Sequence, residues 1–226
     1  MGARRLEAAL KEFAHSEHVK ITYKSFELDP EKPKDATMDA YDNLATKYGM
    51  SREQAKKTYA DMNQQAQAEG LDFQFDKMIP ANTFDAHRLT LLATASGKQP
   101  QMVERLFSAY FIEGKRLSDR ETLLELGEEV GLDTKQIAAM LDGTAYSEQV
   151  RTEQREAQEL GVRAVPFYVI DRKYGISGAH PSEFFLKTLD KAWQESQPLS
   201  IVNNDDEHSG DACDETGCQI DPNNKS

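Results

Sequence analysis

The chain has 226 residues and a mass of 25.5 kDa, enough to bury a substantial core without disulfide bonds. Its two cysteines, 38% hydrophobic residues and 29% charged residues exclude a disulfide-rich secreted scaffold, a collagenous chain and wholesale disorder. With 27 basic and 39 acidic residues the net charge is −12, which argues against nucleic acid or an anionic membrane as the main partner.

The first thirty residues predict a helix followed by a strand. Apolar residues recur at helical spacing between residues 3 and 16, and Val19–Phe26 alternates apolar with polar side chains before Asp29-Pro30. No signal-peptide core follows Met1, and no apolar run reaches the ~18 to 20 residues of a membrane span. These features predict a cytoplasmic protein without a membrane partner.

A helical period then runs from about Thr37 to Leu160. Ser51 and Gln54 form a predicted capping box, and further caps and glycines divide the region into six predicted helical segments with short connections. Such a pattern is typical of a compact helical bundle.

The period changes again near the end of the chain. Val165–Ile170 is a nearly continuous apolar run that predicts a short buried strand. A tight turn at Asp171 and Arg172 precedes a second predicted strand over Lys173–Gly178, and Pro181 begins an amphipathic helix. Strands near both ends of the chain with helices between them predict an α/β sheet domain with a large all-helical insertion.

These patterns divide the chain into three parts. Residues 1–30 and 160–197 form the predicted discontinuous sheet domain, and residues 31–159 form the helical insertion domain. Residues 198–226 are a polar, acidic tail that we expect to be flexible. The tail contains both cysteines, Cys213 and Cys218, so the rest of the chain has no thiol.

Five short motifs occur along the chain in a recognisable order. They are Arg4-Arg5-Leu6-Glu7, Asn82-Thr83 with Ala86-His87-Arg88-Leu89, Leu106-Phe107 with Ala109-Tyr110-Phe111, Gly161–Phe167, and Ser177-Gly178-Ala179. Together they resemble the DsbA branch of the thioredoxin superfamily, particularly its FrnE-type cytoplasmic dithiol-disulfide oxidoreductases. Hydroxychromene-carboxylate isomerases and kappa-class glutathione transferases are relatives. The Cys213-x4-Cys218 pair is similar to a second cysteine pair of some FrnE-type proteins.

The resemblance implies a thioredoxin-like fold with a reactive Cys-x-x-Cys at the N-terminus of the first helix, opposite a loop with a cis-proline. Unpaired N–H groups and the helix dipole at that terminus lower the pKa of a thiol. Val165 and Pro166 match the proline position and are the predicted substrate-binding residues, because such a loop leaves a backbone edge for an extended peptide.

The resemblance also implies a function in thiol–disulfide exchange. The expected partners are disulfide-containing proteins or small thiol substrates, and a second copy of the chain in a homodimer. No tightly bound cofactor is expected, and the resemblance implies glutathione as the candidate co-substrate.

The sequence departs from the family at its reactive centre. The family's Cys-x-x-Cys would fall just before Gly2, and the first central strand of the sheet would precede it. Without that strand, the segments Val19–Phe26 and Phe167–Ile170 would leave buried backbone groups unpaired, at about 1 to 3 kcal/mol each. We therefore expect that the sequence begins at an internal Met1 and that the functional protein has roughly 15 to 25 further N-terminal residues.

Three interpretations of the tail cysteines remain open. Cys213 and Cys218 fit an accessory redox pair, because Gly217 lets the short loop close and the acidic neighbours disfavour a primary nucleophile. A metal site would add His208, but this spacing is not a recognised zinc pattern and a fourth ligand is missing. Inert thiols are the third interpretation.

Two other functional classes also remain open. A glutathione-dependent isomerase or transferase would need a serine or cysteine at the same helix terminus and a glutathione site along the Val165-Pro166 edge. A non-catalytic binding or chaperone-like module would use the helical face alone. His87, beside Asp85 and Arg88, fits a structural histidine better than a catalytic one.

Overall fold

The computed structural model describes residues 1–196, which form nine α-helices and a two-stranded sheet. The helices are α1 Gly2–Glu12, α2 Ala40–Tyr48, α3 Arg52–Gln67, α4 Phe84–Ala95, α5 Gln99–Ser108, α6 Arg120–Glu129, α7 Thr134–Asp142, α8 Ser147–Glu159 and α9 Ser182–Ser196. A π-helical turn, Ala109–Glu113, continues α5, and a 3-10 turn spans Ser16–His18. The strands are β1 Phe167–Ile170 and β2 Tyr174–Ser177. The predicted tail, with Cys213 and Cys218, lies outside the described residues.

The two predicted C-terminal strands form an antiparallel hairpin in which Phe167 pairs with Ser177 and Ile170 with Tyr174. Asp171 and Arg172 have φ values of 50° and 53°, as a type I′ turn requires. This turn matches the right-handed twist of the strands, so the predicted tight connection is confirmed.

The helical region contains seven α-helices, whereas the sequence pattern predicts six segments. The additional boundary falls at Gly97, whose φ of 68° ends α4 before α5 begins. The predicted capping box is confirmed, since Gln54 N donates to Ser51 Oγ at 3.2 Å and Ser51 N donates to Gln54 Oε1 at 2.8 Å.

Three hydrophobic clusters lie within the described residues, two of them in the helical region. The larger of these two includes fully buried side chains from α4 to α7, namely Leu89, Met102, Leu123, Leu126 and Ile137. The smaller joins α2, α3 and the segment before α4 through Ala40, Tyr59, Phe75 and Met78. The third cluster joins α1, β2 and α9 through Ala9, Phe13, Ile176, Phe185 and Leu189. Residues Met1–Glu195 nevertheless form one compact unit. The division between sheet domain and insertion stays a prediction.

The predicted strand at Val19–Phe26 is wrong, because no strand is present there. Tyr23 N donates to Gln99 Oε1 and Tyr23 O accepts from Gln99 Nε2, both at 3.0 Å. Ser25 N donates to Glu153 Oε2 at 2.8 Å. Side chains from α5 and α8 therefore bond one backbone edge of this segment, and no described strand pairs with its other edge, so the segment is extended without forming a strand.

This contact between the extended segment and the helices continues into a group of ionisable side chains in which Glu27 and Glu153 are buried and His87 is partly buried. Glu27 Oε2 accepts from Arg151 Nη1 at 2.5 Å, while Glu27 Oε1 is buried without a hydrogen-bond partner. Burial lowers the pKa of His87, although Glu27, Glu153 and a hydrogen bond to the Phe26 backbone act in the opposite direction. The interpretation of His87 as a structural histidine stays a prediction.

The lowered pKa of His87 predicts a loss of stability in acid. As the pH falls below about 6.5, the unfolded chain binds a proton that folded His87 does not, so the free energy of unfolding falls by about 1.4 kcal/mol per pH unit until folded His87 also protonates. His87→Gln removes this contribution. Urea unfolding across a pH series should show a flatter pH dependence for His87→Gln than for the exposed control His18→Gln. Equal slopes for the two variants would contradict the assignment.

Arg88 of α4 joins three parts of the helical region. It forms a buried ion pair with Asp85, with Nη1 2.9 Å from Oδ1. Its other nitrogens donate to the carbonyl oxygens of Ala145 at 2.8 Å, Gly143 at 2.7 Å and Met140. The guanidinium therefore satisfies the carbonyl groups at the end of α7 and in the connection to α8.

Candidate active site

The N-terminus of α1 lies directly against the proline loop. The Val165-Pro166 peptide bond is cis, and Gly2 is buried beside it. A Cβ atom on Gly2 would stand 3.2 Å from Pro166 Cγ and would overlap the hydroxyl group of Tyr168. The structure therefore brings together the helix terminus and the proline loop, as the sequence resemblance implies.

The first turn of α1 has a positive electrostatic character. No side chain caps its N-terminal N–H groups, and the first turn contains no acidic residue. Arg4 and Arg5 both lie in this turn. Free N–H groups and the positive end of the helix dipole favour a negative charge, and a thiolate is the negative group that a DsbA-type reaction requires at such a position.

Two tyrosine phenols in this region have raised pKa values. Burial raises the pKa of Tyr168 to about 12, with a smaller contribution from Tyr23. The pKa of Tyr23 is also raised, chiefly by burial and further by Glu7 and Glu104. Both phenols therefore stay protonated at neutral pH.

The loop at Val165 and Pro166 offers an accessible backbone edge. Val165 is 45% exposed, and none of the described residues forms a hydrogen bond with its backbone. The Pro166 carbonyl accepts from Gly178 N at 2.8 Å, which fixes the loop to the end of the hairpin. The edge can therefore pair with an extended peptide. The role of Val165 and Pro166 in substrate binding stays a prediction.

Sequence reasoning did not identify Gly2 and Tyr168 as residues of this site. The signal for Gly2 is a glycine at the start of a charged helix, where a missing Cβ permits close approach of another segment. No comparable signal exists for Tyr168, which reads as an ordinary residue of a buried strand.

The described residues contain no cysteine and no group of three or more His, Cys, Asp or Glu side chains that could bind a metal ion. Among these residues, no helix combines the length and apolar character needed to cross a membrane. The predicted accessory pair, Cys213 and Cys218, and the alternative ligand His208 lie outside the described part of the chain.

The fold and this site define the class of protein. The DSBA-like thioredoxin domain family matches residues 1–190, and the chain belongs to this family. It has the DsbA-like thioredoxin fold with a large helical insertion.

The chain is also similar to individual proteins. A probable DsbA oxidoreductase of Streptomyces coelicolor is 38% identical, with a TM-score of 0.84 over 97% of this chain and 92% of that chain. The cytosolic disulfide reductase DsbM of Pseudomonas aeruginosa, solved with GSH, has a TM-score of 0.58 at 17% identity over 85% of this chain and 92% of that chain. An uncharacterized protein of Bacillus subtilis (strain 168), YwbO, is 25% identical over 81% of this chain and 87% of its own length.

Proposed function

We propose that the protein is a cytoplasmic DsbA-like thiol–disulfide oxidoreductase whose reactive cysteine pair belongs to a segment preceding Gly2. The observation that carries this proposal is the contact of α1 with the cis Val165-Pro166 loop at Gly2. A thiol at this terminus would lie beside free N–H groups and an open backbone edge at Val165. The description of the DsbM relative as cytosolic supports the proposed location.

Two unpaired backbone edges support a preceding strand. Tyr23 and Ser25 bond to side chains of the helices, so the backbone groups of Thr22 and Lys24 point the other way, where no described residue bonds them. Pro166 and Ile170 bond toward the hairpin, and Tyr168 lies on the same edge, so the backbone groups of Phe167 and Val169 point to the opposite edge of β1.

Apolar side chains beside these two edges are exposed to solvent. Ile21 is 40% exposed, and Val169 is 45% exposed. The neighbouring residues Val19 and Tyr168 nevertheless pack in the same cluster over α1. A strand inserted between the edges would pair with both of them and cover these apolar side chains, as burial of apolar surface favours.

The proposed reaction transfers two electrons between dithiol and disulfide. The first cysteine thiolate attacks one sulfur of a substrate disulfide, and the other substrate sulfur leaves as a thiolate that takes up a proton. The second cysteine, after losing its proton, attacks the mixed disulfide. The substrate leaves as a dithiol, and the protein pair becomes a disulfide. The reverse sequence oxidises a substrate dithiol.

Sequencing the coding DNA upstream of Met1 and expressing the longer chain tests this proposal. We expect an in-frame alternating apolar segment followed by Cys-x-x-Cys, and faster reduction of insulin disulfides by dithiothreitol when the longer chain is present. Replacing the first cysteine of that pair with serine should return the rate to the uncatalysed level. An in-frame stop codon directly upstream, or a longer chain without catalysis, would overturn the proposal.

Cys213 and Cys218 are proposed as an accessory redox pair that exchanges with the primary pair. Their acidic neighbours and short spacing support this role, since carboxylates disfavour spontaneous thiolate attack while the short loop permits closure.

A glutathione-dependent isomerase or transferase is the second candidate. A cleft of about 250 Å³ beside α1 contains Arg5, whose guanidinium can pair with a carboxylate of glutathione, and Glu183, whose carboxylate can pair with its ammonium group. The residues that line it are Arg5, Ala8, Glu69, Pro181, Ser182 and Glu183. Binding of glutathione by the longer chain without catalysed insulin reduction would favour this candidate.

A further inference from the structure

Both arginines in the first turn of α1 form ion pairs with the helical region. Arg5 Nε lies 2.5 Å from Glu69 Oε1, and Arg5 Nη1 donates to the Ala179 carbonyl oxygen at 2.5 Å. Arg4 pairs with Glu104 on α5 and with Glu7 within α1. The start of α1 is therefore fixed to the turn after α3, to α5 and to the loop after β2.

The two pairs differ in their exposure to solvent. The side chains of Arg5 and Glu69 are each 22% exposed, whereas those of Arg4 and Glu104 are 33% and 54% exposed. Solvent and salt screen the Arg4–Glu104 pair more strongly. The charge on Glu69 therefore influences its surroundings more than the charge on Glu104 does.

Arg5 lies in the first turn of α1, and Glu69 contacts it, so both charges lie near the N-terminal position where the proposed function places a thiol. Both charges would act on a thiol at this position. The negative charge of Glu69 would raise its pKa, and the positive charge of Arg5 would lower it.

We propose that Glu69 is a positioning residue that sets the acidity of the thiol at the α1 terminus by neutralising Arg5. This inference rests on the proposed function for its biological meaning. Glu69 belongs to the turn after α3, so a residue of the predicted helical insertion adjusts the pKa of a thiol in the predicted sheet domain. With Glu69 in place, the thiol is less acidic and the corresponding disulfide is a weaker oxidant than the helix terminus and Arg5 alone would produce.

The test introduces a reporter thiol at the helix N-cap of the full chain by Met1→Cys. Cys213→Ser and Cys218→Ser leave this thiol as the only one, and a short leader separates it from the α-amino group. The rate of alkylation by iodoacetamide across a pH series gives the thiol pKa. The thiol pKa reports the electrostatic effect of Glu69 and Arg5 directly, and its measurement does not require any native segment before Met1.

We expect Glu69→Gln to lower the pKa of the reporter thiol by about one unit, because Arg5 is then no longer neutralised. Alkylation at neutral pH should become about threefold faster, since the larger thiolate fraction outweighs the lower nucleophilicity of a more acidic thiol. Arg5→Gln should raise the thiol pKa. Glu12→Gln, at the opposite end of α1, is the matched control and should leave it unchanged.

An unchanged thiol pKa in Glu69→Gln would overturn the inference. A shift in the same direction for Glu69→Gln and Arg5→Gln would also overturn it, because that result indicates a distorted helix. An upstream segment without cysteines would overturn the proposed function but would not alter this measurement, so the two failures are distinguishable.

Discussion

Arg88→Met should lower the free energy of unfolding by about 3 to 5 kcal/mol, the range for breaking a buried ion pair by removing one partner. Methionine retains the length and apolar stem of arginine, so the loss isolates the guanidinium. The substitution leaves Asp85 with only the largely exposed Lys34 as a cationic partner, and it removes the donors to the carbonyl groups at the end of α7 and before α8. Urea unfolding followed by circular dichroism measures the effect.

Arg120→Met is the matched control. Arg120 also forms an ion pair with an aspartate, Asp142, but both side chains are well exposed, at 43% and 66%. Exposed pairs contribute about 0 to 1 kcal/mol. Equal destabilisation by the two substitutions would show that burial does not determine the importance of Arg88.

Gly114→Ala should cost about 2 to 5 kcal/mol, through two separate effects. The φ of Gly114 is 71°, in the left-handed region that is strained for alanine. A Cβ there would also lie 2.6 Å from the backbone oxygen of Lys77. This oxygen cannot move away without a shift of the main chain. Any displacement of Lys77 would also disturb the segment between α3 and α4, because the hydrogen bond from Gln74 N to Phe111 O joins this segment to the π-helical turn.

Gly49→Ala separates the two effects. Gly49 has a φ of 64° at the end of α2, but no atom lies within 4 Å of the position of its Cβ. Only the backbone strain remains, and we expect about 1 to 2 kcal/mol. Chemical unfolding of both variants tests the prediction. If Gly114→Ala is no more destabilising than Gly49→Ala, the close contact with Lys77 has no energetic importance.

The sequence was sufficient for features that depend on neighbouring residues. The capping box at Ser51 and Gln54 and the turn at Asp171 and Arg172 are short-range arrangements, and both are present in the structure. The resemblance of the quoted motifs was also sufficient to place Pro166 opposite the first helix.

Features that depend on distant partners could not be predicted in this way. The alternation in Val19–Phe26 correctly indicates extended backbone, but strand formation also needs a partner strand, and no described strand lies beside this segment. Gln99 and Glu153 bond only one of its two edges. The contact between Gly2 and Tyr168 joins residues at opposite ends of the described chain. No local pattern indicates such a contact, because it depends on packing of the complete fold.

The hydrogen bonds between the extended segment and the helices have a consequence for the order of folding. Tyr23 and Gln99 are 76 positions apart, and Ser25 and Glu153 are 128 positions apart. Closing such long loops is entropically costly and slow compared with forming neighbouring helices. We therefore expect the helical region to gain its structure first and to act as the template on which the N-terminal segment is then placed.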